Sequence, residues 1–344
     1  MRQEQAAFTI VVAFAAFLSG CQGTERPLAP SLDGTQLSSS DDNSAKGKIV
    51  FHSGRAGNVR IFAMNADGTE QTQLTRTPTY DFDPVWSPNG KQIVYMRFPE
   101  SCCGNPVIMV MNADGTGITQ LTDGSSSDWI PLWSPNGKQI AFRSDRVGGV
   151  DDVYVMNADG SNLTRLTTNA YVQNVAAWSP NGKQIAFVSY RDYILNGNAG
   201  DTDLFVMNAD GTGITPLTDN NVDDGGDHAG WSPNGKQFVF ASRRDGGDRD
   251  IFVMNANGTS VRQLTGVGGD VADDNNPVWS PNGKRIAFNS TRDGNEEVYT
   301  MSIDGSDQRR LTRNPSNDAV PSWVSGKVRS DEDGNDDDER DGRP

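Results

Sequence analysis

The segment from Trp178 to Phe187 reads WSPNGKQIAF, and four closely similar decapeptides begin at Trp86, Trp133, Trp231 and Trp279. In each copy the proline sets φ before a bend, and Asn-Gly tolerates positive φ, which favours a tight reversal between two strands. The apolar run that follows is rich in β-branched and aromatic residues. It therefore indicates a strand that is buried on both faces.

A second turn recurs in every repeat and is typified by NADG at 208–211, after the apolar run DLFVM. A short strand ending in Leu-Thr then closes the repeat. Four short antiparallel strands in a repeat of roughly 40–50 residues are typical of a propeller blade. A single four-stranded sheet would leave apolar faces uncovered, and stacking of blades around an axis covers them.

The number of blades follows from counting the strands. The third-strand turn occurs six times. The second strand also occurs six times, but its first copy, KIVFHS at Lys48, has no tryptophan strand before it. Conversely, the last tryptophan strand, AVPSWVSGK at Ala319, has no second strand after it. We therefore predict an all-β, six-bladed propeller over residues 47–328. The strand around Trp323 would close the ring beside residues 48–53, so that no sheet edge stays open.

The N-terminus has the features of an export signal. Its apolar run is too short to span a membrane comfortably, and it ends in LSGC at Cys21, which resembles a bacterial lipobox. We expect a signal peptide over 1–20, lipidation of Cys21 and, since Gln22 rather than Asp follows, the periplasmic face of the outer membrane. An ordinary signal peptide with an incidental cysteine is the alternative. Residues 21–46 are interpreted as a flexible tether.

The charge balance limits the class of partner. Acidic residues outnumber basic ones by 45 to 30, which argues against nucleic-acid binding, because phosphates require clustered Lys and Arg. Much of the excess lies in the tail over 329–344. There the segment DEDGNDDDERDGRP holds eight acidic and two basic residues. Such a polar run predicts a disordered, solvated tail.

The string WSPNGKQIAF…RDG…DIFVMNANG…QLT closely resembles the WD-like repeats of TolB-type periplasmic propellers, from Gly47 to about Lys327. This resemblance implies a non-enzymatic binding or scaffold module of the bacterial envelope. Its partner would be an envelope protein, such as peptidoglycan-associated lipoprotein, or a peptide held at the channel mouth. TolB-type proteins also carry an α/β domain before the propeller, for which this sequence has no room. We expect a monomer.

A recurring acid stands five residues before several repeat tryptophans, where the innermost strand would begin. Six-fold geometry would place these carboxylates around one channel mouth, where they could bind Ca²⁺ or a basic peptide. The alternative is that each Asp bonds to the backbone of its own turn. No motif requires a cofactor. The candidates for metal and partner are Asp81, Asp128, Asp227, Asp274 and Asp318, with His228 added for the partner because it lies in the acidic segment DNNVDDGGDHAGW.

Two further patterns concern stability. Arginines of a Ser-x-Arg segment could pair with acids that open the third strand, as exposed ion pairs worth about 0–1 kcal/mol each. Cys102 and Cys103 are adjacent in one loop, and exported thiols tend to oxidise; a vicinal disulfide, a bridge to another chain and a reduced pair all remain open. The arginines of the expected ion pairs are Arg55, Arg146, Arg191, Arg244 and Arg292, and the acids that open the third strands are Asp152, Asp203, Asp250 and Glu297.

The sequence contains neither G-x-S-x-G nor H-E-x-x-H. Oligogalacturonate lyases use similar repeats but depend on a His-rich metal site, whereas this chain has only His52 and His228. We therefore expect a binding module and no enzyme. A polysaccharide-binding or lyase-like propeller is the alternative, since the repeat tryptophans and Trp129 could stack on sugars, although repeat tryptophans usually lie in the core.

Overall fold

The computed structural model describes residues 47–99, 104–168, 172–189, 202–220, 222–244, 247–267 and 271–325. At 172, 173, 226 and 227 the description covers the backbone and not the side chains. The signal peptide, Cys21, the tether, the Cys102–Cys103 pair, Arg191 and the tail over 329–344 lie outside these residues. What the sequence predicts for these segments therefore remains a prediction.

The described residues form six four-stranded antiparallel sheets, which are the six predicted blades. Within these ranges no helix has the length and apolar character needed to cross a bilayer. Blade 1 contains β1 (Lys48–Ala56), β2 (Asn58–Asn65), β3 (Thr72–Gln73) and β24 (Asp318–Val324). Blade 2 contains β4 (Tyr80–Trp86), β5 (Gln92–Phe98), β6 (Val107–Asn112) and β7 (Thr119–Gln120).

The other four blades repeat this order along the chain. Blade 3 contains β8 (Asp128–Trp133), β9 (Gln139–Ser144), β10 (Asp152–Asn157) and β11 (Thr164–Arg165). Blade 4 contains β12 (Val172–Trp178), β13 (Gln184–Ser189), β14 (Asp203–Asn208) and β15 (Thr215–Pro216). Blade 5 contains β16 (Asp224–Trp231), β17 (Gln237–Ser242), β18 (Asp250–Asn255) and β19 (Arg262–Gln263). Blade 6 contains β20 (Asp274–Trp279), β21 (Arg285–Ser290), β22 (Glu297–Ser302) and β23 (Arg309–Arg310).

The ring closes where the sequence predicts. In blade 1 the strand order is β24-β1-β2-β3, and the antiparallel pairing of β1 with β24 places Lys48 opposite Val324 and Ser53 opposite Asp318. The last strand of the chain therefore completes the first blade. This joins the two ends of the propeller domain and confirms the closure prediction.

The core lies between the blades. The second strand of each blade is buried on both faces because neighbouring blades cover them, as Ile185, Ala186 and Phe187 in β13 show. One apolar cluster combines Val50 and Ile61 of blade 1 with residues of blade 2, and the other clusters join neighbours in the same way. Apolar burial is the main favourable term in folding, so each blade depends on its neighbours for stability.

The repeat tryptophans belong to this core. Trp86, Trp133, Trp178, Trp279 and Trp323 are only 6–9% exposed. The Nε1 of Trp279 donates a 3.1 Å hydrogen bond to the carbonyl oxygen of Gly230, across the border between blades 5 and 6. These five rings therefore lie in the core, as the sequence predicts for repeat tryptophans.

Candidate binding site in the central channel

The six innermost strands, β4, β8, β12, β16, β20 and β24, surround the central channel. Near their C-terminal ends lies a cavity of about 270 Å³ to which all six blades contribute. Its lining is mostly apolar because the two positions before each repeat tryptophan carry small or apolar residues. Those residues include Pro84, Leu132, Ala177, Ala229, Pro277 and Pro321.

The Ser-Pro-Asn-Gly-Lys turns enclose the mouth of this cavity, and we call them the collar (residues 87–91, 134–138, 179–183, 232–236 and 280–284). In each turn the serine hydroxyl bonds to the asparagine side chain, as Ser179 does to Asn181 at 2.8 Å. Successive turns pack against one another, since a Cβ on Gly182 would lie 3.9 Å from Cδ of Pro135. Three collar prolines, Pro88, Pro135 and Pro233, also line the cavity.

A bulge interrupts the innermost strands near their midpoints. Asp83, Ile130, Asn276 and Val320, each three residues before a repeat tryptophan, have φ between 50° and 55°. The pairing register shifts at the same place, for example between Phe82 and Val85 of β4. A bulge of this kind re-aims the side chains around it. Positive φ in a β-branched residue is costly, so the surrounding blades must hold Ile130 and Val320 in this conformation.

A polar band lies at the inner end of the cavity. The Nδ1 of His228 is 3.3 Å from Oδ1 of Asn276, and Nδ2 of Asn276 donates to Oδ1 of Asn289 at 2.8 Å. On blades 1 and 2, the backbone N–H of Asp83 donates to Nδ1 of His52 at 3.4 Å. Burial, with a smaller contribution from His228, lowers the pKa of His52 to about 3. His52 is therefore neutral at ordinary pH.

A row of edge-to-face rings continues from His52 across blades 1 to 3. The centroid distances are 5.2 Å from His52 to Phe82, 5.7 Å from Phe82 to Phe98 and 5.4 Å from Phe98 to Trp129. The guanidinium of Arg143 lies 5.4 Å from the Trp129 ring centroid. Trp129 is thus partly covered by its neighbours, and its main contacts are structural.

The predicted acidic ring is not an open ring. Asp81, Asp128, Asp274 and Asp318 are fully buried, and each pairs with an arginine of its own blade. The N···O distance is 2.6 Å for Arg97–Asp81 and for Arg146–Asp128, and 2.8 Å for Arg292–Asp274. Arg55 pairs with Asp318. In the described part of the chain, no three His, Cys, Asp or Glu side chains group so that they could hold a metal.

The placement of these four acids at an accessible mouth is therefore corrected. Each of their carboxylates is buried and accepts a hydrogen bond from its arginine. In blade 5 the equivalent acid is Asp224, which bonds to Arg244 and to the hydroxyl of Ser242. Asp227 lies in β16, but its side chain is outside the described residues. Among the predicted site residues whose side chains are described, only His228 lines the cavity.

The predicted pairing of the arginines with third-strand acids is also wrong. Arg55, Arg146, Arg244 and Arg292 reach the innermost strand instead. The third-strand acids have other partners: Asp152 pairs with Arg165, and Glu297 pairs with Arg310. Hydroxyls of Thr218 and Thr265 donate to Asp203 and Asp250.

Sequence reasoning missed Arg97. In blade 2 this arginine occupies the position that serine has in the other blades, so no Ser-x-Arg pattern marks it. Its Nε still donates to Asp81 at 2.6 Å. Alignment of the six second strands would have supplied the signal, because RF at 97–98 replaces the usual serine in an otherwise regular repeat.

Comparison with known proteins agrees with this architecture. Residues 96–199 match the TolB beta propeller domain family. Over 47 residues the chain is 47% identical to the Tol-Pal system protein TolB of Geobacter metallireducens, a stretch that covers 14% of this chain and 11% of that protein. The chain therefore spans only a small part of that relative.

Solved structures of other proteins share the fold. The crystal structure of TolB from Acinetobacter baumannii superposes with a TM-score of 0.66 at 22% identity, over 80% of this chain and 66% of that one. An oligogalacturonate lyase in complex with manganese gives a TM-score of 0.53 at 15% identity, over 78% of this chain and 74% of that one. At such identities the likeness shows the fold alone, and the fold hosts both binding and catalysis. Together with the six repeats, it shows that this chain is a six-bladed propeller, in which residues 96–199 are similar to the TolB beta propeller domain.

Proposed function

We propose that the chain is a non-enzymatic protein-binding module of the bacterial envelope, which receives a segment of a partner protein at the collar end of its channel. The observation that carries this proposal is the apolar cavity to which all six blades contribute. The family match over residues 96–199 supports it, as does the relative whose name places it in the Tol-Pal system. The proposed site lies at the opposite end of the innermost strands from the buried acids.

The form of the cavity favours a peptide segment over a folded surface. About 270 Å³ accommodates a few side chains. Its lining is rich in proline and alanine, which have little or no side-chain freedom to lose on binding. A short apolar segment of a partner would therefore bind without reordering the walls.

The histidines give little support to a lyase-like reaction. A general base works best when its pKa is near the working pH, and burial lowers the pKa of His52 to about 3. The side chain of His228 lines the cavity, where it contacts Asn276. This arrangement suits a polar inner wall for a bound segment, so we propose no second function.

The test is an affinity capture from detergent-solubilised envelope, with the captured proteins identified by mass spectrometry. The bait would be the wild-type chain, Ala177→Gln or Val271→Gln. Ala177→Gln adds a polar side chain to the cavity wall, whereas Val271 is 87% exposed and its substitution is the matched control. We expect one identified protein to bind wild type and Val271→Gln and to be lost with Ala177→Gln.

Two outcomes would contradict the proposal. Equal capture by Ala177→Gln, confirmed by titration of the purified partner, would move the site away from the collar end. Absence of any protein enriched over empty resin would count against a protein-binding role, and glycan arrays would follow. The three baits must have the same melting temperature, so that a loss of capture cannot be caused by unfolding.

We also propose that the module is exported and anchored through lipid on Cys21, at the periplasmic face of the outer membrane. The lipobox-like LSGC sequence supports this location. Cys21→Ala should move the protein from the membrane fraction to the soluble fraction and leave its signal peptide unprocessed by lipoprotein maturation. Unchanged fractionation of the Cys21→Ala variant would contradict the proposed lipid anchor.

A further inference from the structure

The wall of the central cavity has its smallest side chains in blades 4 and 5. In the other four blades a proline stands two residues before the repeat tryptophan, as Pro277 does in blade 6. Blade 4 has Ala176 and Ala177 at the two positions before its tryptophan, and blade 5 has Ala229 and Gly230. Side chains therefore enclose the cavity least on this side.

A second cavity, of about 430 Å³, lies on the same side, between the collar turns of blades 4 and 5. We call it the blade 4–5 cleft. Blade 4 contributes Asn181 and Gln184 to its lining, and blade 5 contributes Trp231, Pro233 and Asn234. Because Trp231 and Pro233 line the central cavity as well, the cleft adjoins that cavity and continues it outward through the collar.

Trp231 stands where the two cavities meet. It is half-buried, whereas the other five repeat tryptophans are only 6–9% exposed. An edge-to-face contact with Phe238, at a centroid distance of 5.0 Å, fixes the ring from within blade 5. A tryptophan that is held by packing and still accessible is typical of the residues that contribute most to protein–protein binding. Trp231 therefore offers a rigid apolar surface to a ligand.

Side-chain amides border this surface. In Asn181 and Asn234, Oδ1 accepts hydrogen bonds from the serine and the lysine of the same turn. Within the described ranges, Nδ2 of these two residues and the carboxamide of Gln184 have no hydrogen-bond partner. An extended peptide brings backbone N–H and C=O groups that need partners when they are buried. The free amides of the cleft can supply them.

The charge around the cleft is positive. The collar lysines Lys183 and Lys236 stand one on each side of it, and both side chains are exposed. In the part of the chain that the structure describes, neither lysine forms an ion pair, whereas Lys48 pairs with Glu70 at 3.7 Å.

The nearest hairpin of blade 5 also lacks its acid. Ala256 lines the cleft, and the next residue is Asn257. The corresponding hairpins of the other five blades carry an aspartate at this position, namely Asp67, Asp114, Asp159, Asp210 and Asp304. In a chain whose formal net charge is −15, the cleft is thus a place that favours an anionic ligand.

We propose that the blade 4–5 cleft holds an extended, acidic segment of a partner protein, which leaves the central cavity over Trp231 and passes between Lys183 and Lys236. The inference rests on the proposed function, because it takes the central cavity as the partner's site. It adds the charge of the bound segment and its path out of the channel.

Apolar contact and charge have different parts in this binding. Exposed ion pairs are individually weak, so the lysines contribute to selectivity and to the rate of association more than to affinity. The apolar surface of Trp231 and Pro233 supplies most of the affinity through burial. The matching segment therefore has apolar residues with acidic residues beside them.

The experiment follows the indole N–H resonances of the seven tryptophans in the ¹⁵N-labelled full chain, and Trp231→Phe assigns the Trp231 signal. The probe is a synthetic peptide with a leucine pair flanked by glutamates, and matched peptides carry glutamine or lysine instead of glutamate. We expect the acidic peptide to shift the Trp231 signal saturably and to bind more tightly than either matched peptide. Trp129, near the start of β8 at the other end of the channel, is the internal control and should not respond.

Two double substitutions test the path through the collar. Lys183→Gln with Lys236→Gln removes the charges beside the cleft, and Lys138→Gln with Lys284→Gln removes the same charge from other collar turns. All four side chains are exposed, so both variants should fold. We expect the first pair to weaken binding of the acidic peptide about fivefold at low salt, which corresponds to about 1 kcal/mol. The second pair should weaken it less, and neither should change binding of the glutamine peptide.

Three results would overturn the proposal. The first is a Trp231 signal that does not respond to the acidic peptide. The second is an equal loss of affinity in both lysine variants, which would assign the effect to the charge of the whole collar. The third is a saturable shift of Trp231 by an acidic oligosaccharide such as an oligogalacturonate, with no shift by the peptide, which would make the cleft a sugar site.

The proposed function can fail separately from this inference. If a captured envelope protein is lost with Ala177→Gln but binds the Lys183→Gln, Lys236→Gln variant as tightly as wild type and leaves the Trp231 signal unchanged, the proposed function holds and the path through the cleft is wrong. If the acidic peptide binds as expected while no envelope protein is captured, the cleft is a peptide site and the envelope role fails.

Discussion

At the level of single residues, the most repeated contact is the buried aspartate that ties the start of an innermost strand to the second strand. Burial raises the pKa of Asp274, against the hydrogen bond from Ser290 and the charge of Arg292. The pKa of Asp318 is raised by burial too. A buried charge is tolerated when a well-placed partner compensates for the lost hydration. The aspartates are therefore structural ties.

Removal of one such tie should destabilise the fold. Asp224→Asn leaves the guanidinium of Arg244 without its carboxylate, and we expect the free energy of unfolding to fall by about 2–3 kcal/mol. This is less than for a fully buried pair, because Arg244 is 24% exposed. Urea unfolding measures the loss. Asp210→Asn, in an exposed turn where blade 5 already has Asn257, is the control and should change little. Equal losses in both variants would contradict a structural role.

His52 gives the fold a dependence on pH with a definite sign. The unfolded chain binds a proton at His52 near pH 6.5, whereas the folded chain does so only near pH 3. Protons therefore favour the unfolded state between these values, and stability falls as the pH drops, by up to about 1.4 kcal/mol per pH unit. His52→Met, the residue that blade 2 has at Met96, should lose less stability than wild type as the pH falls from about 6.5 toward 4.5. Parallel stability curves for the two proteins would refute this origin.

At the level of strands and turns, the hairpins between the third and fourth strands lock neighbouring blades together. Gly211 has a φ of 86°, and a Cβ there would lie 2.4 Å from the carbonyl oxygen of Leu166 in the preceding blade. The same contact recurs in all six blades, with the leucine of each Leu-Thr pair. The threonine of that pair works within its own blade: the hydroxyl of Thr218 accepts a 3.0 Å hydrogen bond from the N–H of Leu204. The hairpin glycine and the Leu-Thr pair therefore recur in every blade for structural reasons.

Gly211→Ala should therefore destabilise more than an equivalent glycine substitution elsewhere. Gly294 has a φ of 99°, but a Cβ there would meet no atom within 4 Å, so Gly294→Ala carries the backbone cost alone. That cost is about 1–2 kcal/mol for an L-residue at positive φ. The clash in Gly211→Ala should add about 1–3 kcal/mol. Thermal and urea unfolding compare the two, and equal losses would show that the turn does not couple the blades.

For the whole molecule, stability depends on closure of the ring by β24. Its residues pair with β1. Trp323 packs in a core cluster with Ile49 and Phe51 of its own blade and with Ala287 of the neighbouring blade 6. Without β24 the innermost edge of blade 1 is open, and one border between blades loses its cover.

A chain that ends at residue 317 should thus unfold at lower temperature and less cooperatively than one that ends at 325. The second chain retains β24 and is the matched control for loss of the acidic tail. Calorimetry measures both the temperature and the agreement between calorimetric and van't Hoff enthalpies. Indistinguishable transitions would mean that the remaining blades form a stable unit and that closure contributes nothing.

The order of residues along the chain was enough to predict the strands, the turns, the number of blades and the closing strand. These follow from local chemistry, since Pro-Asn-Gly and Asn-Ala-Asp-Gly favour turns, and six sheets with two apolar faces each can cover those faces only by stacking. The same pattern also predicted that most repeat tryptophans lie in the core.

The direction of the repeated aspartates and the position of the cavity, by contrast, depended on the three-dimensional fold. A bulge near the middle of each innermost strand changes the side to which the residues before it project. No residue type marks it, because Asp83, Ile130, Asn276 and Val320 occupy the same position with positive φ. As a consequence the acids are buried against arginines that lie in the second strand or two residues after it, and the apolar cavity lies at the other end of the innermost strands. The spacing of residues along a chain records their order, but the direction of a side chain depends on how neighbouring strands pair.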